Sequence, residues 1–410
     1  MLKSVFVSGY KSLQDTRASL APFTVIVGRN NVGKSNLFDA LRLLSHFAQM
    51  PIASAFRPEQ HRGDPVESFF AEDACSLSLR CDLDLTGARH PFKPKTLLEY
   101  PLLHYEIEVR FHKGVLEVQA ESLRSRAPKG GKAKNFITTS SDKEEVLINR
   151  DTAKSGRARH FPLPSPRSVL TVIDDAELYP TVVAVAQELA SWRFFHFDPV
   201  ALREPSPAMD IFELETSGRG LSGFYDTLAQ KEPGRFAAAE RALRRAIPEA
   251  RTIAVLDTGD RRRLLAVARE DGRRFAARVL SDGTLRFLAL LALAYAPQPP
   301  GLVCFEEPEN GVHPGRLPFI VDTLRGIGQR SGEGDGPRSQ VLVNSHSPYL
   351  VDLLDPDEML IATLDPQGQT RFQSVVNDLF TNKPQVKEML ESGEQTLGEL
   401  WSQGGLDEAA

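Results

Sequence analysis

Over residues 1–28 the apolar positions first alternate and then run together. Val5 and Val7 alternate with polar neighbours, Tyr10–Leu13 reads as a turn, and Phe23–Val27 is an unbroken apolar, β-branched run. The alternation predicts a strand and the unbroken run a buried strand. From Asn36 to Leu44 apolar residues recur at helical spacing, and the pattern stops near Met50-Pro51, where proline ends a helix. Leu77–Leu85 alternates cleanly and predicts a half-buried strand. Tyr105–Val118 predicts a strand pair turning at Lys113-Gly114. Residues 52–70 are irregular, and 124–168, rich in Lys, Gly, Ser, Arg and Pro, read as loop. Residues 174–192 and 220–247 read as helical. Strands are expected over 251–256 and 263–268 around Thr258-Gly259-Asp260. From residue 280 an α/β pattern returns, interrupted by an exposed connector at 330–339. No repeat and no sustained heptad is present.

Composition narrows the class. With 410 residues the chain holds one large or two ordinary domains, and its 41% apolar content supports a proper core. A net charge of -5 makes the whole chain no obvious polyanion binder, so local patches must carry any such claim. Cys75, Cys81 and Cys304 form neither a disulfide framework nor a metal-ligand pattern, which suits a reducing, intracellular setting. Cys75 and Cys81 share parity on a strand and read as small buried residues. Met1–Val5 leads directly into a strand rather than a signal peptide. The longest apolar run, Phe287–Ala296, is far below a membrane span. A cytoplasmic protein with no membrane partner is expected.

Candidate chemistry centres on the octet Gly28-Arg29-Asn30-Asn31-Val32-Gly33-Lys34-Ser35, followed by Asn36. It is a G-x-x-x-x-G-K-S loop set between the predicted strand and helix, the context such a loop needs to cradle phosphates. Its backbone N–H groups and the helix start would face a triphosphate, Lys34 would reach the β- and γ-phosphates, and the Ser35 hydroxyl would hold Mg²⁺. A second signal is the apolar run Gly301–Phe305 ending in Glu306-Glu307-Pro308. Period 2 sends the two acids to opposite sides of the strand end. One then serves the metal, assigned to Glu306, and the other the attacking water, assigned to Glu307 as general base. A third is Leu280–Arg286, where Ser281 caps a long apolar helix and Gly283 sits at its tip. That tip is an anion site in its own right, and one triphosphate rarely needs two from one chain, so a nucleotide bound by a second subunit is its expected ligand. A fourth is Val341–Pro348, a strand with His346 at its polar end, within reach of the γ-phosphate or water.

In this order the four elements resemble the ATPase head of the ABC class, and more narrowly the RecF-like, SMC-like branch among AAA-type ATPases that carry an ABC signature. The resemblance rests on Lys11-Ser12-Leu13, Gly28–Asn36, Leu280–Arg286, Glu306-Glu307-Pro308-Glu309-Asn310-Gly311-Val312-His313-Pro314 and Ser345–Pro348. It covers about residues 1–50 and 275–355. It implies Walker A roles for Lys34 and Ser35, a Walker B role for Glu306, a catalytic role for Glu307, signature roles for Ser281 and Gly283, and a switch role for His346. It also implies ATP and Mg²⁺ as cofactors and a head-to-head homodimer with ATP in the interface. Asn31 stands where glycine is common, but asparagine tolerates positive φ. Gln60 is the nearest candidate for the Q-loop glutamine.

The expected fold is α/β: a P-loop NTPase of the ABC-ATPase type, a mixed sheet with helices on both faces, with an inserted α+β domain. Residues 1–85 and 251–410 are assigned to the head and 86–250 to a lid or accessory domain. The insertion has no heptads and no Cys-x-x-Cys hook, so no coiled-coil arm is expected. The stretch after His346 is short for a fused nuclease, so any cutting is assigned to another polypeptide. Lys129–Lys134, Arg241, Arg244, Arg245, Arg251 and Arg261–Arg263 could meet duplex DNA, although no aromatic interleaving accompanies them. Arg203 is expected to be a structural clamp. The function expected is an ATP-hydrolysing, dimerising switch in DNA repair or defence against foreign DNA. The alternative is a regulatory scaffold that holds a separate effector, a nuclease or toxin.

Overall fold

The computed structural model describes residues 1–57, 66–70, 75–126, 133–151, 158–329 and 339–404. Phe23–Val27 is buried at every position because it lies inside a six-stranded sheet. The strand order is Arg193–Phe195, Leu302–Glu306, Gln340–Ser345, Phe23–Val27, Met359–Leu364, Thr370–Ser374, parallel except for the last pair. The register sets Val27 opposite Ser345 and Glu306 opposite Asn344. Three carboxyl ends therefore reach one sheet edge together, where open α/β sheets bind ligands.

Strand pleating divides the core. Leu302 and Cys304 face one apolar cluster with the helix Lys34–Phe47 and the helix Pro180–Ala190. Val303 and Phe305 face another, with the helices Asp282–Ala294 and Leu317–Gln329. Helices thus cover both faces of the mixed sheet. In Asp282–Ala294 every residue from Phe287 to Ala294 is buried, and each large side chain there contributes about 1.5–3 kcal/mol.

An eight-stranded antiparallel sheet packs on the first cluster. Its order is Thr16–Ser19, Leu2–Ser8, Ser76–Asp84, Leu102–His112, Val115–Ser125, Asn135–Ser140, Glu145–Ile148, Arg159–Pro162. A third sheet joins Ser206–Pro207, Arg262–Arg269 and Ala250–Asp257, with Arg274–Ala276 on Arg262–Arg269. The insertion is α+β, and it shares its sheets with the head. Ser76–Asp84 pairs with Leu102–His112 across residue 85, and Arg193–Phe195 joins the central sheet.

Three readings of the sequence are corrected. The stretch 124–168, expected as loop, supplies three strands from Asn135 to Pro162; they are short and lack clean alternation. Residues 220–247 form two helices, Leu221–Lys231 and Pro233–Ala246, because Pro233 cannot continue the first and starts the second. Cys75 is exposed, although Cys81 and Cys304 are buried. Gln60, the basic residues 129–132 and the connector positions 330–338 lie outside the described residues. Among the described residues no helix is long and apolar enough to cross a membrane.

Candidate functional site

The loop Gly28–Ser35 is shaped by two residues in the left-handed region, Asn31 at φ 66 and Gly33 at φ 91. Asparagine and glycine are the residues that visit it most readily. Gly28 lies so close to the neighbouring strand that a Cβ there would come within 2.5 Å of the Ala362 carbonyl. Arg29, Asn30 and Asn31 are exposed, while Val32 is buried beneath the loop. Lys34 Nζ donates to the carbonyls of Gly28 at 2.6 Å and Arg29 at 2.7 Å. Burial pushes the Lys34 ammonium below the ordinary lysine range, against the pull of Glu307 and Glu309. The ammonium rests on the loop's own carbonyls, where an anionic oxygen would bind it more strongly.

The acids leave their strand as the pleat requires. Glu306, on the same side as Cys304, sits 3.9 Å from His196 Nδ1 and lines a cleft of about 750 Å³ with Arg42, His46 and Asp198. Glu307 turns the other way at φ 48. Its amide donates to the Asn344 carbonyl at 3.1 Å and to Asn344 Oδ1 at 3.0 Å. One carboxylate oxygen accepts from Asn310 Nδ2 at 2.6 Å, and the other lies 3.1 Å from His346 Nδ1. Asn344 Nδ2 also lies 3.5 Å from Ser35 Oγ. The structure therefore brings Lys34, Ser35, Glu307 and His346 to one sheet edge.

Three neighbours escaped the sequence reading as individual contributors. Asn310 and Asn344 hold Glu307, and Glu309 is buried and accepts from Ser345 Oγ at 2.5 Å. Burial pushes the Glu309 carboxyl up. Glu309 and Asn310 follow the paired acids closely enough to suggest a role. Asn344 has only its position before Ser345-His346 as a signal.

Ser281 is exposed and caps its helix, its hydroxyl accepting from Thr284 N at 3.3 Å. Gly283 packs on the turn after Glu307; a Cβ there would lie 2.8 Å from the Gly311 carbonyl. Arg286 donates to the Asn310 carbonyl from the same helix. Arg203 clamps this tip by donating to the Leu280 carbonyl at 2.9 Å and to Asp282 at 2.5 Å. Asn36 turns its amide away to Ser12 Oγ at 2.8 Å.

The basic residues divide. Lys134 donates to the Asp151 carbonyl and lies over the Tyr100 and Phe136 rings. Arg263 pairs with Asp226 and Asp257. Arg241, Arg244, Arg245, Arg251, Arg261 and Arg262 are exposed, with Arg244 donating to the Arg251 carbonyl and Arg262 to the Pro205 carbonyl.

A family model described as "AAA domain, putative AbiEii toxin, Type IV TA system" matches residues 23–352. Two solved structures share the fold. A crystal structure of an Smc head bound to the C-winged helix domain of ScpA has a TM-score of 0.57 and 11% identity, covering 93% of this chain and 99% of that one. The Smc head domain from Pyrococcus furiosus, with an extended coiled coil and bound to the C-terminal domain of ScpA, has a TM-score of 0.53 and 11% identity, covering 96% and 99%. No curated protein matches the sequence.

Proposed function

The chain belongs to the AAA family described as putative AbiEii toxin of type IV toxin–antitoxin systems, and from that premise we propose that it is an ATP-hydrolysing switch that closes as a homodimer. The observation that carries the reading is Glu307. Its carboxylate is held by Asn310 and faces His346, beside a phosphate loop whose lysine is already buried. A base in that position can take a proton from water attacking the γ-phosphate, with His346 next to the same oxygen centre. Gly28–Asn36 binds the triphosphate through loop N–H groups and Lys34.

Ser35 and Glu306 fit a magnesium ion in donor type, because that ion takes hard hydroxyl and carboxylate oxygens. Asn344, paired in register with Glu306, lies 3.5 Å from the Ser35 hydroxyl, which supports their convergence. When bound, the ion neutralises triphosphate charge.

The exposed Ser281, at the end of a clamped helix with Gly283 packed behind it on the Gly311 carbonyl, supports a role on the nucleotide of a second copy. Residues 86–250 supply the accessory part of each head, apart from Pro180–Phe195, whose helix and strand complete the central sheet and its cover. The toxin–antitoxin wording of the family description fits a defence role better than repair. Duplex DNA is a further candidate ligand for the exposed arginines of residues 241–262.

Glu307→Gln tests the assignment. The variant should bind Mg·ATP, lose turnover by about a thousandfold or more, and accumulate as a dimer with ATP in light scattering. Turnover at the wild-type rate would show that Glu307 is not the base. Turnover loss without dimer accumulation would leave the base in place and remove the dimer closure.

A further inference from the structure

Nothing in the sequence singles out Thr370, in the hairpin strand Thr370–Ser374, yet it is fully buried against the phosphate loop. Its hydroxyl donates to the Val32 carbonyl at 2.8 Å. A threonine has one hydroxyl proton, so the 2.6 Å contact between Thr370 Oγ1 and Ser12 Oγ must be donated by Ser12. Ser12 in turn accepts from Asn36 Nδ2 at 2.8 Å. The direction of the relay is therefore fixed: Asn36 to Ser12, Ser12 to Thr370, Thr370 to the loop carbonyl. Such chains polarise one another and gain strength together.

The surrounding backbone holds the relay in place. Thr370 N–H donates to the Ser12 carbonyl at 2.9 Å, and the Thr16 hydroxyl donates to the Thr370 carbonyl at 3.0 Å. Arg371 adds a bond to the Gln14 carbonyl at 3.0 Å. Gly33 is packed so tightly here that a Cβ would overlap both Thr370 Oγ1 and Ser12 Oγ.

The consequence follows from the planarity of the peptide. In a trans peptide the carbonyl and the next N–H point in opposite directions. Anchoring the Val32 carbonyl towards Thr370 aims the Gly33 N–H the other way, away from the Thr370 strand. We propose that Thr370 is a positioning residue for nucleotide binding: through Ser12 and the Val32 carbonyl it presets the Val32–Gly33 peptide to receive the phosphates. The inference rests on Gly28–Ser35 being the triphosphate loop.

The test uses the full-length protein and a fluorescent ATP analogue with Mg²⁺. Thr370→Val keeps the shape and removes the hydroxyl. It should weaken nucleotide binding by about tenfold and raise KM for ATP by a similar factor, with kcat at saturation near wild type. Thr370→Ser should recover most of that affinity, a rescue that shape alone would not give. If Thr370→Val melts far below wild type, Ser12→Ala reads the same relay from its other member and should weaken binding in the same direction. Wild-type affinity in folded Thr370→Val, or in Ser12→Ala where that variant is the one read, while Lys34→Ala fails to bind, would overturn the positioning role alone. A wild-type protein that binds no nucleotide would overturn the triphosphate loop itself and the positioning role with it.

Discussion

Glu307 holds a backbone conformation that suits glycine or asparagine, and for other residues it costs about 1–2 kcal/mol. Two bonds from its amide to Asn344 and one from Asn310 to its carboxylate offset that strain. Strain held this way fixes the Glu307 carboxylate in one place at the end of its strand. Lys34 is prepared differently: its ammonium is desolvated and rests on two carbonyls. Replacing it removes charge-assisted bonds worth roughly 1.5–3 kcal/mol each. Lys34→Ala should therefore weaken ATP binding by about a hundredfold or more, read by equilibrium titration; unchanged affinity would remove Lys34 from the site.

At the scale of elements, Glu121 ties the strand Val115–Ser125 to the turn Val169–Thr171. Its buried carboxyl accepts from Tyr105 Oη at 2.9 Å, from Ser168 Oγ at 2.8 Å and from Val169 N at 2.8 Å. Glu121→Ala strands those donors and should lower unfolding stability by about 3 kcal/mol, measured by urea denaturation. Burial raises the Glu121 carboxyl despite its donors. A group raised on folding stabilises most at low pH and less as pH climbs through its folded value, so the cost of the substitution should be larger at pH 5 than at pH 8. A cost that grows with pH would contradict this.

The same scale explains what the sequence could and could not reveal. Phe23–Val27, the octet and the Ser281 cap are legible because pattern and partner lie within a few residues. Asn344 and Thr370 act through bonds to remote positions, while the strands of 135–162 pair with near neighbours but have no local period to mark them. Pro233 is visible in the sequence, but its break falls between two stretches that are each helical, so the pattern there is that of one run.

At the scale of the molecule, the proposed phosphate loop and the proposed signature tip sit on different elements of one chain, the tip clamped by Arg203. Ser281→Arg should leave the monomer folded yet abolish ATP-dependent dimerisation and turnover. Mixed with Lys34→Ala, it should restore at most one composite site, so activity stays at or below half of wild type. A monomeric Ser281→Arg protein with full turnover would end the two-chain reading. The strand order carries a different consequence, for biosynthesis. Both neighbours of Phe23–Val27, namely Gln340–Ser345 and Met359–Leu364, come from the far end of the chain. At ~5–20 residues per second a ribosome needs roughly 15–60 s to travel between them. For that interval an apolar strand waits without its sheet partners, open to the mispairing that unpaired strand edges invite.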